Sequence, residues 1–234
     1  MRKIAINIVL CLSGVLLNMI IYRLFNTLGI PLYMDTVATI AVTFTGGLLC
    51  GVLCGALTNI IAHSIIFWSW GDYLFTLCNI ATAYITWLFC RFFPNQMNLS
   101  KPALTTSPEE VKFPVSQKSG RLSGAMDRIV ILILLSSALC FAMSVLGGII
   151  TTIIITVNQP LIERSDLPGI LSATMFGQNV PLILKEILSR IPINSIDRLI
   201  SAFAGYTIAL GIRALIKKIS VLVTCKQDTD RKAK

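Results

Sequence analysis

Apolar and polar positions divide the chain into long apolar runs separated by short polar punctuation. The run over 32–68 opens on an acid, Asp35, and carries no other formal charge. Gly46, Gly47, Gly51 and Gly55 interrupt its middle, and Asn59 and His63 follow deep in the apolar stretch. As one helix it would reach about 55 Å at roughly 1.5 Å per residue, far beyond a hydrocarbon core of about 30 Å. The segment therefore has to turn back, and Gly46-Gly47 is where a tight, left-handed backbone costs least. The pattern predicts a hairpin of two membrane helices, 32–45 and 48–68, with the polar residues aimed inward.

The other runs read in the same way. A first span covers 4–22, with Asn7, Ser13 and Asn18 as its polar interruptions. Arg2 and Lys3 before it resemble the start of a signal peptide, but no small-x-small cleavage site follows and the run is long enough to cross a bilayer. A loop over 23–31 ends at Gly29 and Pro31. Trp68 and Trp70 mark a turn at headgroup level, and a fourth span covers 73–93. Residues 94–127 are rich in Pro, Ser, Lys and Glu without periodicity and predict a solvated loop. A fifth span over 128–157 exceeds the core thickness, so it is expected to tilt, protrude or break at Gly147-Gly148. The stretch 158–194 holds Pro160, Pro168, Gly169, Gly177 and Pro181, then an amphipathic 181–191. Lys185, Glu186 and Arg190 make a full span costly there, which favours interfacial or re-entrant helices. A sixth span over 195–216 is expected to be capped by Asn194 or Ser195, with Asp197 in its first turn, and a basic tail covers 217–234.

Composition agrees with this reading. The chain has 234 residues, 55% hydrophobic and 13% charged, and its mean hydropathy is +0.78. The expected class is an all-α integral membrane protein: one domain over 1–234, a bundle of six transmembrane helices with both termini cytoplasmic. The formal charge of +9 does not imply nucleic acid, because the N-terminal tail, 91–128 and the chain from Arg213 onward carry 15 of the 20 Lys and Arg. That is the asymmetry expected of cytoplasmic segments in a multi-pass protein of the cell membrane. An odd number of spans would put the basic 91–128 loop and the basic C terminus on opposite sides.

Seven cysteines scattered through apolar runs give no disulfide framework. Cys50 and Cys54 share a helical face, but no His or acid stands close enough in sequence to complete a tetrahedral metal site. No nucleotide-binding, G-x-S-x-G, H-E-x-x-H or paired-acid motif occurs, so neither catalysis nor a resident cofactor or metal is expected. Gly47, Gly51 and Gly55 fit close helix packing near the latter two better than a separate dimer face. The polar groups gather toward the outer ends of the spans: Asp35, Asn59, His63, Asn79, and Asp197 with Arg198. Polar groups at depth are costly unless they face protein, water or ligand, so these six are the candidate substrate-binding residues. Each also has a simpler reading: a helix–helix hydrogen bond for His63, a cap for Asp35, an interfacial pair for Asp197 and Arg198.

The stretch LYMDTVATIAVTFTGGLLCGVLCGALTNII, together with PINSIDRLISAFAGY at the start of the sixth span, resembles the substrate-binding S components of energy-coupling factor transporters, of the riboflavin type. The resemblance covers most of 1–93 and 190–216. It implies a subunit that captures a vitamin or related small-molecule nutrient from outside. A transmembrane T component and two ATPase subunits would then drive uptake. The chain departs from that pattern on its first span, where the A-x-x-x-A surface is missing and only Ala5, Ser13 and Gly14 are small. The reading from another class is a membrane sensor or interaction module that signals through the 94–127 loop.

Overall fold

A computed structural model describes residues 2–66, 70–94, 97, 121–158, 167–175 and 180–232. Most of the polar 94–127 loop, much of 158–180, Trp68, and the side chains of His63 and Trp70 lie outside the described residues. The rest is helical, and no strand occurs among the described residues. The helices are α1 (Arg2–Thr27), α2 (Val37–Gly46), α3 (Leu48–Ile66), α4 (Thr76–Phe92), α5 (Arg121–Asn158), α6 (Leu167–Met175) and α7 (Leu182–Lys232). A 3-10 turn, Trp70–Phe75, leads into α4.

Among the described residues, four helical stretches are long and apolar enough to cross a membrane: Ile4–Thr27, Gly71–Phe92, Gly124–Val157 and Leu182–Ile219. Burial runs opposite to that of a water-soluble protein. Ile4, Ile8, Leu12, Leu16, Ile20 and Leu24 project outward along α1, while Glu186, Arg190, Asp197 and Arg198 are shut inside. Large apolar side chains in water and charges in the core would both be unfavourable. A bilayer around the bundle removes the first cost, and internal pairing reduces the second. The chain is therefore read as a multi-pass membrane protein.

A short apolar helix sits at the centre. α2 packs against α1, α3, α4 and α7, and every residue from Val37 to Phe44 is buried. At about 15 Å it crosses half a hydrocarbon core. Ile40, Ala41 and Phe44 on α2 join Leu135 and Leu139 of α5 and Ala202, Tyr206 and Ala209 of α7 in the main apolar core. The Phe44 and Tyr206 rings meet edge to face at 5.6 Å. On the other side, Val42 packs with Cys11, Val15, Cys50 and Cys54.

The turn expected at Gly46-Gly47 is present: α2 ends at Gly46, Gly47 has φ 85°, and its N–H donates to the Thr43 carbonyl. Arg213 of α7 closes the same end by donating to the Phe44 carbonyl at 2.6 Å, which places a cation at the negative end of the helix dipole. Close packing at Gly51 and Gly55 holds as well. A Cβ on Gly51 would lie 1.9 Å from Thr43 Oγ1, and one on Gly55 would lie 3.0 Å from the Asn79 carbonyl oxygen.

Four expectations are corrected. Residues 32–36 are not helical, so Asp35 lies in a half-buried turn before α2 and does not open a membrane helix. α1 continues to Thr27, which shortens the loop after it. α5 starts at Arg121 and passes Gly147-Gly148 unbroken; a Cβ on Gly148 would stand 2.8 Å from the Ile187 backbone nitrogen, so this glycine lets α5 and α7 touch. Finally, α7 runs continuously through Pro192 over 51 residues. The amphipathic 182–191 and the sixth span are one helix, Asn194 and Ser195 cap nothing, and Asp197 lies four turns from the start.

Candidate functional site

A helix that begins inside a bundle exposes unpaired backbone N–H groups to an apolar interior, and these need acceptors. At the start of α2 the Ala38 N–H donates to Asn18 Oδ1 of α1 at 2.7 Å. The Asn18 amide nitrogen in turn donates to Thr39 and Thr58 hydroxyls at 3.0 and 3.3 Å. The side chain is fully buried and joins α1, α2 and α3.

The turn that delivers the chain to this point is strained. Met34 adopts φ 48°, a left-handed conformation costly for a residue with a Cβ. Its N–H donates to Asp197 Oδ1 at 2.8 Å, which supplies the constraint that holds it there. Arg198 then gathers the cluster. One terminal nitrogen donates to the Thr36 hydroxyl, and the other lies 2.9 Å from Asp197 Oδ2 and 3.7 Å from Asp35 Oδ1. Neither carboxylate oxygen is aligned for a hydrogen bond, and Arg198 Nε also lacks an acceptor. Two acids near the positive end of the α2 dipole are favourably placed.

α7 carries this polarity further. Glu186, Ser189, Arg190, Asn194, Asp197, Arg198 and Ser201 are all buried, at spacings that keep them on one helical face. Asn194 donates to the Ser144 hydroxyl of α5 at 3.0 Å. Arg190 donates to the Thr151 hydroxyl and lies over the Phe75 ring, 5.6 Å from its centroid; its Nε has no acceptor. Cys78 of α4 sits within electrostatic reach of Arg198, Asp35 and Arg190, so α4 faces the same zone.

Of the six candidate residues, Asp35, Asp197 and Arg198 come together. Asn59 and Asn79 are buried between α3 and α4, where Asn59 Oδ1 accepts from the Thr76 hydroxyl at 3.1 Å and the Asn79 amide donates to the Gly55 carbonyl at 3.4 Å. These bonds tie one helix pair. His63 lies on α3, and its side chain is outside the described residues. Sequence reasoning passed over Asn18, Met34, Thr36, Glu186, Arg190 and Asn194. The signal for the last three was present: 186, 190, 194, 197 and 201 repeat every three or four residues within one apolar run. Among the described residues, no group of three or more His, Cys, Asp or Glu is placed to hold a metal ion.

Comparison with known proteins returns no match among family models, curated proteins or solved structures.

Proposed function

We propose that this chain captures a small polar nutrient from outside the cell membrane, as the substrate-binding S component of an energy-coupling factor transporter. The observation that supports this most is the Asp35–Asp197–Arg198 cluster, gathered where a helix too short to span begins inside the bundle. Ionised groups at such depth are expensive, and a well-packed apolar substitute is often as stable as a buried ion pair. Their presence therefore favours a role beyond holding helices together. Helices that start in the interior, with polar groups at the open end, are a recurrent way for membrane proteins to bind solutes.

In this reading the non-helical 32–36 and α2 together count as one of six spans, and α3 as another. Both termini are cytoplasmic, as the Lys and Arg distribution favours. Asp35, Asp197 and Arg198 orient the solute, and Asn59, His63 and Asn79 line the approach from α3 and α4. The sequence carries no nucleotide-binding motif, so energy comes from a T component and two ATPase subunits.

The test is to purify the full chain in mild detergent, extract it, and identify retained metabolites by mass spectrometry. One compound enriched over a detergent control, and depleted in Asn59→Ala and His63→Ala, is the expected outcome. No enrichment, or equal retention by the variants, would overturn the assignment. Affinity capture from membranes tests the partner: ATPase subunits are expected, whereas a kinase or regulator in their place would favour a signalling module.

A further inference from the structure

The charges around the cluster do not balance. Among the described residues, Asp35 and Asp197 face a single cation, Arg198. Further along α7, Glu186 and Arg190 contribute one charge of each sign. Tyr22 of α1 lies within electrostatic reach of Asp35, and also of Asp72 and Arg23, again one of each sign. Cys78 faces the cluster from α4 and adds no cation to it. Among these groups one carboxylate is left over, and in a partly buried site an uncompensated charge is unfavourable.

The geometry identifies which one. Asp197 is fully buried, accepts the Met34 N–H at 2.8 Å and lies 2.9 Å from Arg198. Asp35 is held only at 3.7 Å, and its side chain is 21% accessible. Arg198 cannot swing to it without giving up Thr36 and Asp197. The oxygens of Asp35 and Asp197 that face the shared guanidinium nitrogen are the same two that lack a hydrogen-bond donor.

We propose that Asp35 receives a positively charged, N–H-bearing group of the captured solute, such as a protonated amine or amidinium. The proposal rests on the solute-capture reading and deepens it by naming the charge class. The added cation neutralises the excess carboxylate and supplies donors to both bare oxygens. An acceptor beside that nitrogen would also satisfy Arg198 Nε, whereas a purely anionic solute would enlarge the excess.

The test compares the full-length wild type, Asp35→Asn, Asp35→Glu and Asp197→Asn in detergent at neutral pH. Unfolding midpoints are read without ligand and with benzylamine, benzamidine, neutral benzyl alcohol or anionic benzoate at matched millimolar concentration. Binding to the folded state raises the midpoint. Without ligand, Asp35→Asn is expected to unfold at or above the wild-type midpoint, because it removes an uncompensated charge, and Asp197→Asn below it. Benzylamine and benzamidine are expected to raise the midpoint of the wild type and Asp35→Glu but not of Asp35→Asn. An unliganded Asp35→Asn less stable than the wild type would make Asp35 a structural counter-ion and overturn the proposal. So would an absence of stabilisation by either cation, or stabilisation by benzoate alone. A retained metabolite with no cation effect would sink the charge class and leave solute capture standing; a cation effect with no retained metabolite would do the reverse.

Discussion

Replacing Asn18 by Leu removes the one side chain that joins α1, α2 and α3 through hydrogen bonds while nearly keeping its volume. Three bonds are lost, but they do not count equally. The Thr58 hydroxyl still donates to the Cys54 carbonyl at 2.8 Å, and Thr39 keeps a long contact to Cys54 Sγ at 4.0 Å. Those two lose only a donor to a lone pair. The Ala38 N–H loses its acceptor inside an apolar bundle, at a cost of about 1–3 kcal/mol. Side-chain hydrogen bonds between membrane helices contribute about 0.6 kcal/mol on average, so the orphaned N–H dominates and the expected loss is about 2 kcal/mol. Asn18→Ala should cost more, because a cavity is added. Ser13→Ala is the control: that exposed hydroxyl bonds only to the Leu10 carbonyl of its own helix. The assay is SDS-driven unfolding in mixed micelles, followed by maleimide labelling of the buried Cys11, Cys50 and Cys54. An Asn18→Leu variant as stable as Ser13→Ala would refute the idea that the buried start of α2 depends on this amide.

Other substitutions probe separate contacts. Gly148→Val should prevent α5 from seating on α7, because even a Cβ there would fall 2.5 Å from Ile187 Cγ1; loss of the folded fraction on size-exclusion chromatography is expected. Gly211→Ala meets nothing within 4 Å and should stabilise by about 0.5–1 kcal/mol through helix propensity, read by the same SDS titration. Arg213→Gln weakens the link to the Phe44 carbonyl and should cost about 1 kcal/mol; Lys217→Gln, on the exposed face beyond it, should change little. Arg198→Met leaves two acids without their shared cation, and a loss of about 3–5 kcal/mol is expected.

Several features were legible in the sequence because they follow from local chemistry. The Gly46-Gly47 turn is one, since length forces a reversal and glycine tolerates the geometry. The inward orientation of Asp197 and Arg198 is another, since polar groups within long apolar runs are costly unless they face protein, water or ligand; their depth was not, because they were expected at the outer end of a span. The non-helical 32–36 was not legible: Tyr33, Met34 and Asp35 contain no helix breaker, and the left-handed Met34 is held by an acid far along the chain. Pro192 misled in the other direction. Proline usually ends a helix, yet α7 passes through it, packed against α5, α2 and α6. Lys185, Glu186 and Arg190 suggested interfacial or re-entrant helices, although the four-residue spacing of Glu186 and Arg190 continues the polar face of Asn194 and Asp197. Gly147-Gly148 was one of three ways to fit an overlong span, beside tilt and protrusion, because a glycine pair weakens a helix, and close helix contact leaves the same mark. Asn18 registered only as an interruption, because nothing local to it reveals that a second helix begins beside it.

Native mass spectrometry of the intact chain, released from its micelle beside Asp197→Asn, tests the solute-capturing role of the buried cluster most directly. The wild type is expected to carry one small-molecule adduct that collisional activation removes, and the variant to arrive bare. A bare wild type, or the same adduct on both chains, would contradict capture at Asp35, Asp197 and Arg198.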